Sequence, residues 1–166
     1  MKGYLLYIFD LDGTLVDSSN GLVTCYKRVF EKLGFEYDPN ELVNFTRESL
    51  YATYSRFVTP NTEYETFKNA MYTEYKNSLN PNSIPYSDTR YALQRIADEG
   101  LPMCIATRST CERAKDVLTI HNLIQYFDHI IGHDSVTKQK PDPECLEVCT
   151  SFYNLEKKDV LFIGDG

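Results

Sequence analysis

Two carboxylates at the end of an apolar strand constrain this chain more than anything else in it. Leu5-Leu6-Tyr7-Ile8-Phe9 is a short run of strand formers, of the length of one buried strand. Asp10-Leu11-Asp12-Gly13-Thr14 follows it directly. Residues i and i+2 of an extended chain point the same way, so Asp10 and Asp12 crowd one spot unless a cation lies there. Gly13 and Thr14 turn the chain where the strand ends, and open α/β sheets place their ligands at such strand ends. The plainer reading is a strand followed by an acidic turn, since Asp-Gly is ordinary turn chemistry. The pair alone does not choose between the two.

Past Asp17 the pattern turns helical. Leu22, Tyr26, Val29, Phe30 and Leu33 recur at helical spacing, and Gly34 stands where a helix stops. A second helical segment, one helix or two short ones, runs from Glu41 toward Phe57. Thr62-Glu63-Tyr64-Glu65 reads as a capping box ahead of Phe67, Met71, Tyr72, Tyr75 and Leu79. Asn80-Pro81-Asn82-Ser83-Ile84-Pro85 reads as a linker. From Tyr86 onward helix and strand alternate. Ser87 or Asp88 caps a helix carrying Leu93, Ile96 and Ala97 that Gly100 ends. Strands are expected at Met103–Thr107, near Asp128–Ile131 and at Val160–Ile163. Between them Thr110 caps a helix with Ala114, Val117 and Leu118 inside, and Asp142-Pro143 starts one with Leu146, Cys149 and Phe152 inside. This alternation implies an α/β architecture, a Rossmann-like parallel sheet flanked by helices with right-handed crossovers. A helical domain over 18–83 is inserted into a core formed by 1–17 and 84–166.

Composition narrows the function classes. The 166 residues are 42% hydrophobic, enough for one sizeable core with a smaller appendage. A net charge of −7 argues against nucleic acid or an anionic membrane as the main partner. No apolar run approaches the ~20 residues of a membrane span. The five cysteines, Cys25, Cys104, Cys111, Cys145 and Cys149, are odd in number and lack C-x-x-C spacing. They are expected to be free thiols, mostly buried, in a reducing cytoplasm.

In a parallel sheet every strand ends on one edge. That edge collects Asp10 and Asp12, then Thr107 and Arg108, then Asp165, while the loop from Gly132 to Pro141 brings Lys138 and Lys140. Packing needs none of these groups. Carboxylate oxygens suit Mg²⁺, which is held by a few protein ligands together with waters and substrate phosphate. A hydroxyl and an ammonium suit phosphoryl oxygens, so the chemistry indicated is phosphoryl transfer.

The motifs resemble those of the haloacid-dehalogenase (HAD) superfamily of phosphohydrolases. Asp10-Leu11-Asp12-Gly13-Thr14-Leu15-Val16-Asp17 resembles its first motif, Thr107 its second, Lys140-Pro141-Asp142-Pro143 its third and Gly164-Asp165 the start of its fourth. The inserted helical block resembles the cap of the phosphoglycolate phosphatase and β-phosphoglucomutase branch. The resemblance implies Asp10 as nucleophile forming an aspartyl-phosphate and Asp12 as general acid/base. It implies Mg²⁺ held by Asp10, the Asp12 backbone carbonyl and Asp165, and phosphate held by Thr107 and Lys140, with Arg108 in a place where relatives carry Asn or Ser. An acid at Asp12 favours phosphate esters over the halides or phosphonates of other branches.

The implied activity is a Mg²⁺-dependent phosphatase of a small phosphorylated metabolite, cytoplasmic, monomeric or weakly dimeric. The implied cap closes over the site, hinging near Gly13–Asp17 and Asn80–Tyr86. A phosphomutase of the β-phosphoglucomutase type uses the same acids, and a non-catalytic phosphate-binding domain is the reading from another class. A receiver domain would place its phospho-acceptor at a later strand. The family's fourth motif continues with another acid about four residues on, so the sequence is expected to be short of its relatives by on the order of 40 residues.

Other residues carry weaker signals. Lys138 is the solvated competitor of Lys140, and Asp17 reads as an N-cap. Seven tyrosines between Tyr26 and Tyr75 read as insert core or as a substrate pocket, with core the commoner outcome. Arg47 is a candidate substrate contact. His121, His129 and His133 are given no role.

Overall fold

The computed structural model describes residues 3–46, 48–57 and 62–165. Arg47, the candidate substrate contact, lies outside the described residues. The chain divides into two compact units, one of Met1–Asp17 with Ile84–Gly166 and the other of Ser18–Ser83.

The first unit is built on a parallel sheet. β1 (Leu6–Phe9) is central, pairing in register with β4 (Met103–Ala106) on one side and β6 (Val160–Ile163) on the other. β5 (His129–Ile131) pairs with β4, giving the order β5-β4-β1-β6. Alternate side chains of these strands go to opposite faces. Phe9, Met103 and Ile105 pack with Leu93 of α6 (Thr89–Asp98) and Ala114, Val117 and Leu118 of α7 (Cys111–Ile120). Leu6, Ile8, Cys104 and Ala106 pack with Cys145 and Cys149 of α8 (Glu144–Ser151). A sheet covered on both faces explains why β1 and β4 are near-continuous apolar runs. The expected α/β fold is what forms.

The second unit is helical. α1 (Ser19–Leu33) ends at Gly34 with φ +70°, a left-handed turn that favours glycine. α2 (Leu42–Phe45) and α3 (Leu50–Arg56) are two short helices, followed by α4 (Tyr64–Glu74), a π-helical turn at Tyr75–Leu79 and α5 (Asn80–Asn82). Phe30 is the hub of its core, with Tyr26, Phe35, Phe45, Phe57 and Phe67 packed around its ring. Tyr26 is buried in this cluster, and burial pushes its hydroxyl up to about 12.

Several local expectations are corrected. Asn80–Asn82 continues the helix, and the rest of the expected linker contains β3 (Ile84–Pro85), antiparallel to β2 (Val16–Asp17). Val16 pairs with Pro85 and Asp17 with Ile84, so the two passages of chain into and out of the insert are tied as a ribbon. Asp17 is therefore extended, and the N-cap of α1 is Ser18. Thr62 is not the N-cap: its carbonyl accepts the Tyr54 hydroxyl at 2.7 Å, and the helix starts one residue later behind Glu63. Phe152 is 51% exposed instead of inside and stacks on the His129 ring at 3.8 Å. All five cysteines are free, four of them buried. No described helix is long and apolar enough to cross a membrane.

Candidate active site

The site is the edge of the sheet where β1, β4 and β6 end. Asp10 leaves β1 with its amide donating to the Ile163 carbonyl at 2.8 Å, which keeps it in line with β6. One carboxylate oxygen accepts the Leu11 amide at 2.8 Å. The other accepts the Lys140 ammonium at 2.7 Å, and the same ammonium donates to the Ala106 carbonyl at 3.0 Å at the end of β4. The Asp10 and Lys140 side chains keep only 17% and 13% of their exposure. Burial pushes the Asp10 carboxyl up from its ordinary value, and Asp12 nearby adds to that. Lys140 and the Leu11 amide pull it down without cancelling the burial cost.

Lys140 is aimed by its own loop. The Glu144 carboxylate, in the first turn of α8, accepts the Thr137 and Lys138 amides at 2.9 and 2.7 Å and the Thr137 hydroxyl as well. Asp142 Oδ1 accepts the Glu144 amide at 3.0 Å, so the expected cap at Asp142 works although the helix starts at Glu144. Lys138 is 73% exposed and lies 3.9 Å from Asp142.

Thr107 continues β4 by donating its amide to the Ile131 carbonyl at 3.0 Å, and its buried hydroxyl accepts the Ser109 amide at 3.1 Å. Arg108 is exposed, and its carbonyl meets the His133 ring nitrogen at 3.0 Å. The Asp12 side chain turns toward α7: Arg113 Nη1 and Nη2 reach its two oxygens at 2.7 and 2.8 Å, and Ser109 Oγ donates at 3.0 Å. Sequence reading missed Ser109 and Arg113, because a hydroxyl in a loop and one arginine in a helix's first turn carry no period or motif.

Asp165 closes the edge from β6. Gly13 sits at φ +79°, and a Cβ there would lie 2.4 Å from Asp165 Oδ2. Only glycine allows the first loop and the Asp165 carboxylate to approach so closely. A Cβ on Gly164 would lie 3.6 Å from Asp10 Cβ, which places the turn before Asp165 against Asp10. Among the described residues no three His, Cys, Asp or Glu side chains gather as a metal cage. The Asp12 carboxylate is taken up by Arg113 and Ser109, so the donors that the resemblance implies for a metal are the Asp10 and Asp165 carboxylates and the Asp12 backbone carbonyl. The donors left, two carboxylates and a carbonyl, are all hard oxygens, and Asp10 is a buried carboxylate whose burial outweighs Lys140. That set fits Mg²⁺.

Comparison with known proteins identifies the family. The family model described as haloacid dehalogenase-like hydrolase matches residues 7–166. A phosphoglycolate phosphatase of Aquifex aeolicus is 26% identical over 159 residues, covering 95% of this chain and 74% of its own. The pyrophosphatase PpaX of Listeria monocytogenes is 28% identical over 169 residues, covering 95% and 73%. A solved structure from Bacteroides fragilis, described as a haloacid dehalogenase-like hydrolase, superposes with a TM-score of 0.84 at 31% identity, over 98% of this chain and 79% of that one.

Proposed function

This chain belongs to the haloacid dehalogenase-like hydrolase family and is a phosphatase of that family, and from that premise we propose that it hydrolyses a small phosphorylated metabolite through an aspartyl-phosphate on Asp10, with Mg²⁺ as its metal. The observation that carries the reading is the partly desolvated Asp10 carboxylate, held by Lys140 at 2.7 Å and backed by Asp165 beside Gly13. A carboxylate stripped of water and fixed in direction is a better nucleophile than a solvated one.

In the first half-reaction an Asp10 oxygen attacks phosphorus, the bond from phosphorus to the substrate oxygen breaks, and that oxygen leaves with a proton from Asp12. In the second, Asp12 takes a proton from water, the water oxygen attacks phosphorus, and the bond to Asp10 breaks to release phosphate. Lys140 and the Thr107 hydroxyl hold phosphoryl oxygens as charge develops on them, with Arg108 adding positive charge at the rim. Asp10, Asp165 and the Asp12 carbonyl would hold Mg²⁺, which supplies positive charge against the same oxygens and permits two anions to meet.

Phosphoglycolate and pyrophosphate, named for the Aquifex and Listeria relatives, are the first compounds to assay. The deciding experiment measures p-nitrophenyl phosphate hydrolysis with Mg²⁺, with chelator, and with Asp10→Asn. Activity that needs Mg²⁺ and vanishes in Asp10→Asn, with acid-trapped phosphoenzyme in the wild type only, supports the reading. Activity surviving Asp10→Asn sinks the nucleophile assignment, and activity in chelator sinks the metal.

A further inference from the structure

We propose that Arg113, together with Ser109, is a positioning residue for Asp12, fixing the direction of the carboxyl group that, once it carries a proton, passes it to the leaving oxygen. The inference rests on the assignment of Asp12 as general acid/base and extends it to residues that no motif contains.

The geometry is that of a clasp. Arg113 Nη2 donates to Asp12 Oδ1 at 2.8 Å and Nη1 donates to Oδ2 at 2.7 Å, so the guanidinium grips both oxygens with its fork. Ser109 Oγ donates to the same Oδ2 at 3.0 Å and accepts from Arg113 Nη1 at 2.6 Å. Three side chains thus close a ring, two of them four residues apart, in the loop before α7 and in its first turn, and the third about a hundred residues earlier in the chain. Both carboxylate oxygens have fixed directions, and Asp12 cannot swing without breaking three hydrogen bonds.

The setting of Arg113 matches that use. Its side chain is 8% exposed, and arginine is seldom buried unless paired. It lies in the first turn of α7, where the helix dipole disfavours a cation. The cap of that turn is already supplied, since Thr110 Oγ1 accepts the Arg113 amide at 3.2 Å and Asp134 Oδ1 accepts the Cys111 amide at 2.9 Å. Helical side chains lean toward the N-terminus, so from this position the guanidinium reaches back over Ser109 to the strand ends.

The test uses leaving groups. A p-nitrophenolate leaves with little help, whereas an alkoxide needs its proton during bond breaking. Wild type, Arg113→Met, Arg113→Lys, Ser109→Ala and Asp12→Asn are compared on kcat/KM for p-nitrophenyl phosphate and for an alkyl phosphate such as glycerol phosphate. Asp12→Asn should fall far more on the alkyl phosphate, and a uniform fall there would overturn the acid/base assignment itself. Given that result, Arg113→Met should lose on the order of 10²-fold on the alkyl phosphate and much less on p-nitrophenyl phosphate. Arg113→Lys should recover only part of the loss, because an ammonium cannot fork, and Arg113→Met added to Asp12→Asn should cost little more. Equal losses on both substrates, an additive double variant or a gain in rate overturns the positioning role. Should Arg113→Met not fold, Ser109→Ala carries the same test, with a smaller loss of the same selectivity.

Discussion

Lys140 and Asp10, 130 residues apart in the chain, meet at 2.7 Å between their ammonium and carboxylate, and each is the other's nearest opposite charge in a site that excludes most water. Replacing Lys140 by Met leaves the Asp10 charge partly buried and unpaired. Breaking a fully buried pair costs ~3–5 kcal/mol, and for this partly exposed one about 2 kcal/mol is expected. The loss should shrink when Asp10→Asn is already present, because no charge then needs a partner. Urea midpoints of the four forms of this double-mutant cycle measure the coupling, and additive losses contradict it. Activity of Lys140→Met should fall by on the order of 10²-fold or more, through kcat as well as KM.

Gly13 and Asp165 give a second prediction. Gly13→Ala must hold a left-handed φ, at a cost of about 1–2 kcal/mol, and must move the Asp165 carboxylate from a point 2.4 Å from the new Cβ. Activity should therefore suffer more than stability, and the Mg²⁺ concentration giving half-maximal rate should rise. Asp165→Ala should raise that concentration in the same way without the backbone cost. A Gly13→Ala enzyme with unaltered Mg²⁺ dependence would show that Asp165 does not act at the metal.

The order of elements was legible because local signals agreed with the fold. Met103–Ala106 and Val160–Ile163 are apolar strands bounded by turns, Thr110 caps α7 through its hydroxyl, and Gly34 ends α1 at positive φ. What was not legible is set by distant partners. Nothing in Ile84-Pro85 announces pairing with Val16-Asp17, and that pairing moves the cap of α1 from Asp17 to Ser18. The clasp on Asp12 was hidden for a similar reason: Arg113 looks like any surface arginine until the twist of the sheet brings α7 over the first loop. Lys140 was separable from Lys138 only through the turn chemistry of Pro141 and Asp142, and the ties that aim it run through Glu144, a residue with no motif of its own.

That Glu144 tie predicts a pH dependence. The Thr137 and Lys138 amides hold the Glu144 carboxyl below its ordinary value of 4.5, because both donate to its charged form. A carboxyl depressed in the folded state contributes order that is fully present above the unfolded value and is lost as pH falls through the folded one. The Thr137–Lys140 loop should therefore stay protected from neutral pH down to near 4.5 and loosen only below it. Amide chemical shifts of Thr137 and Lys138 report this directly. Glu144→Gln should loosen the loop at all pH values and lower kcat through misplacement of Lys140, with the sheet intact.

Thr107 and Arg108 are adjacent in sequence and differ in what surrounds them, which separates their expected effects. The Thr107 hydroxyl is buried and fixed by the Ser109 amide at 3.1 Å, next to the Ala106 carbonyl that holds Lys140. Thr107→Val keeps the shape, removes the hydroxyl proposed to hold a phosphoryl oxygen and strands the Ser109 amide, at a cost of about 1–3 kcal/mol for an unsatisfied donor. Its kcat/KM should fall by more than tenfold, and by the same factor on aryl and alkyl phosphates, since phosphate is held equally in both. Arg108 is exposed, so its proposed effect on phosphate would be exerted through solvent. Arg108→Ala should raise KM by less than tenfold, leave kcat unchanged, and lose even that effect at high salt. Steady-state kinetics at low and high ionic strength decide between them, and a kcat loss in Arg108→Ala that resists salt would place the guanidinium inside the site.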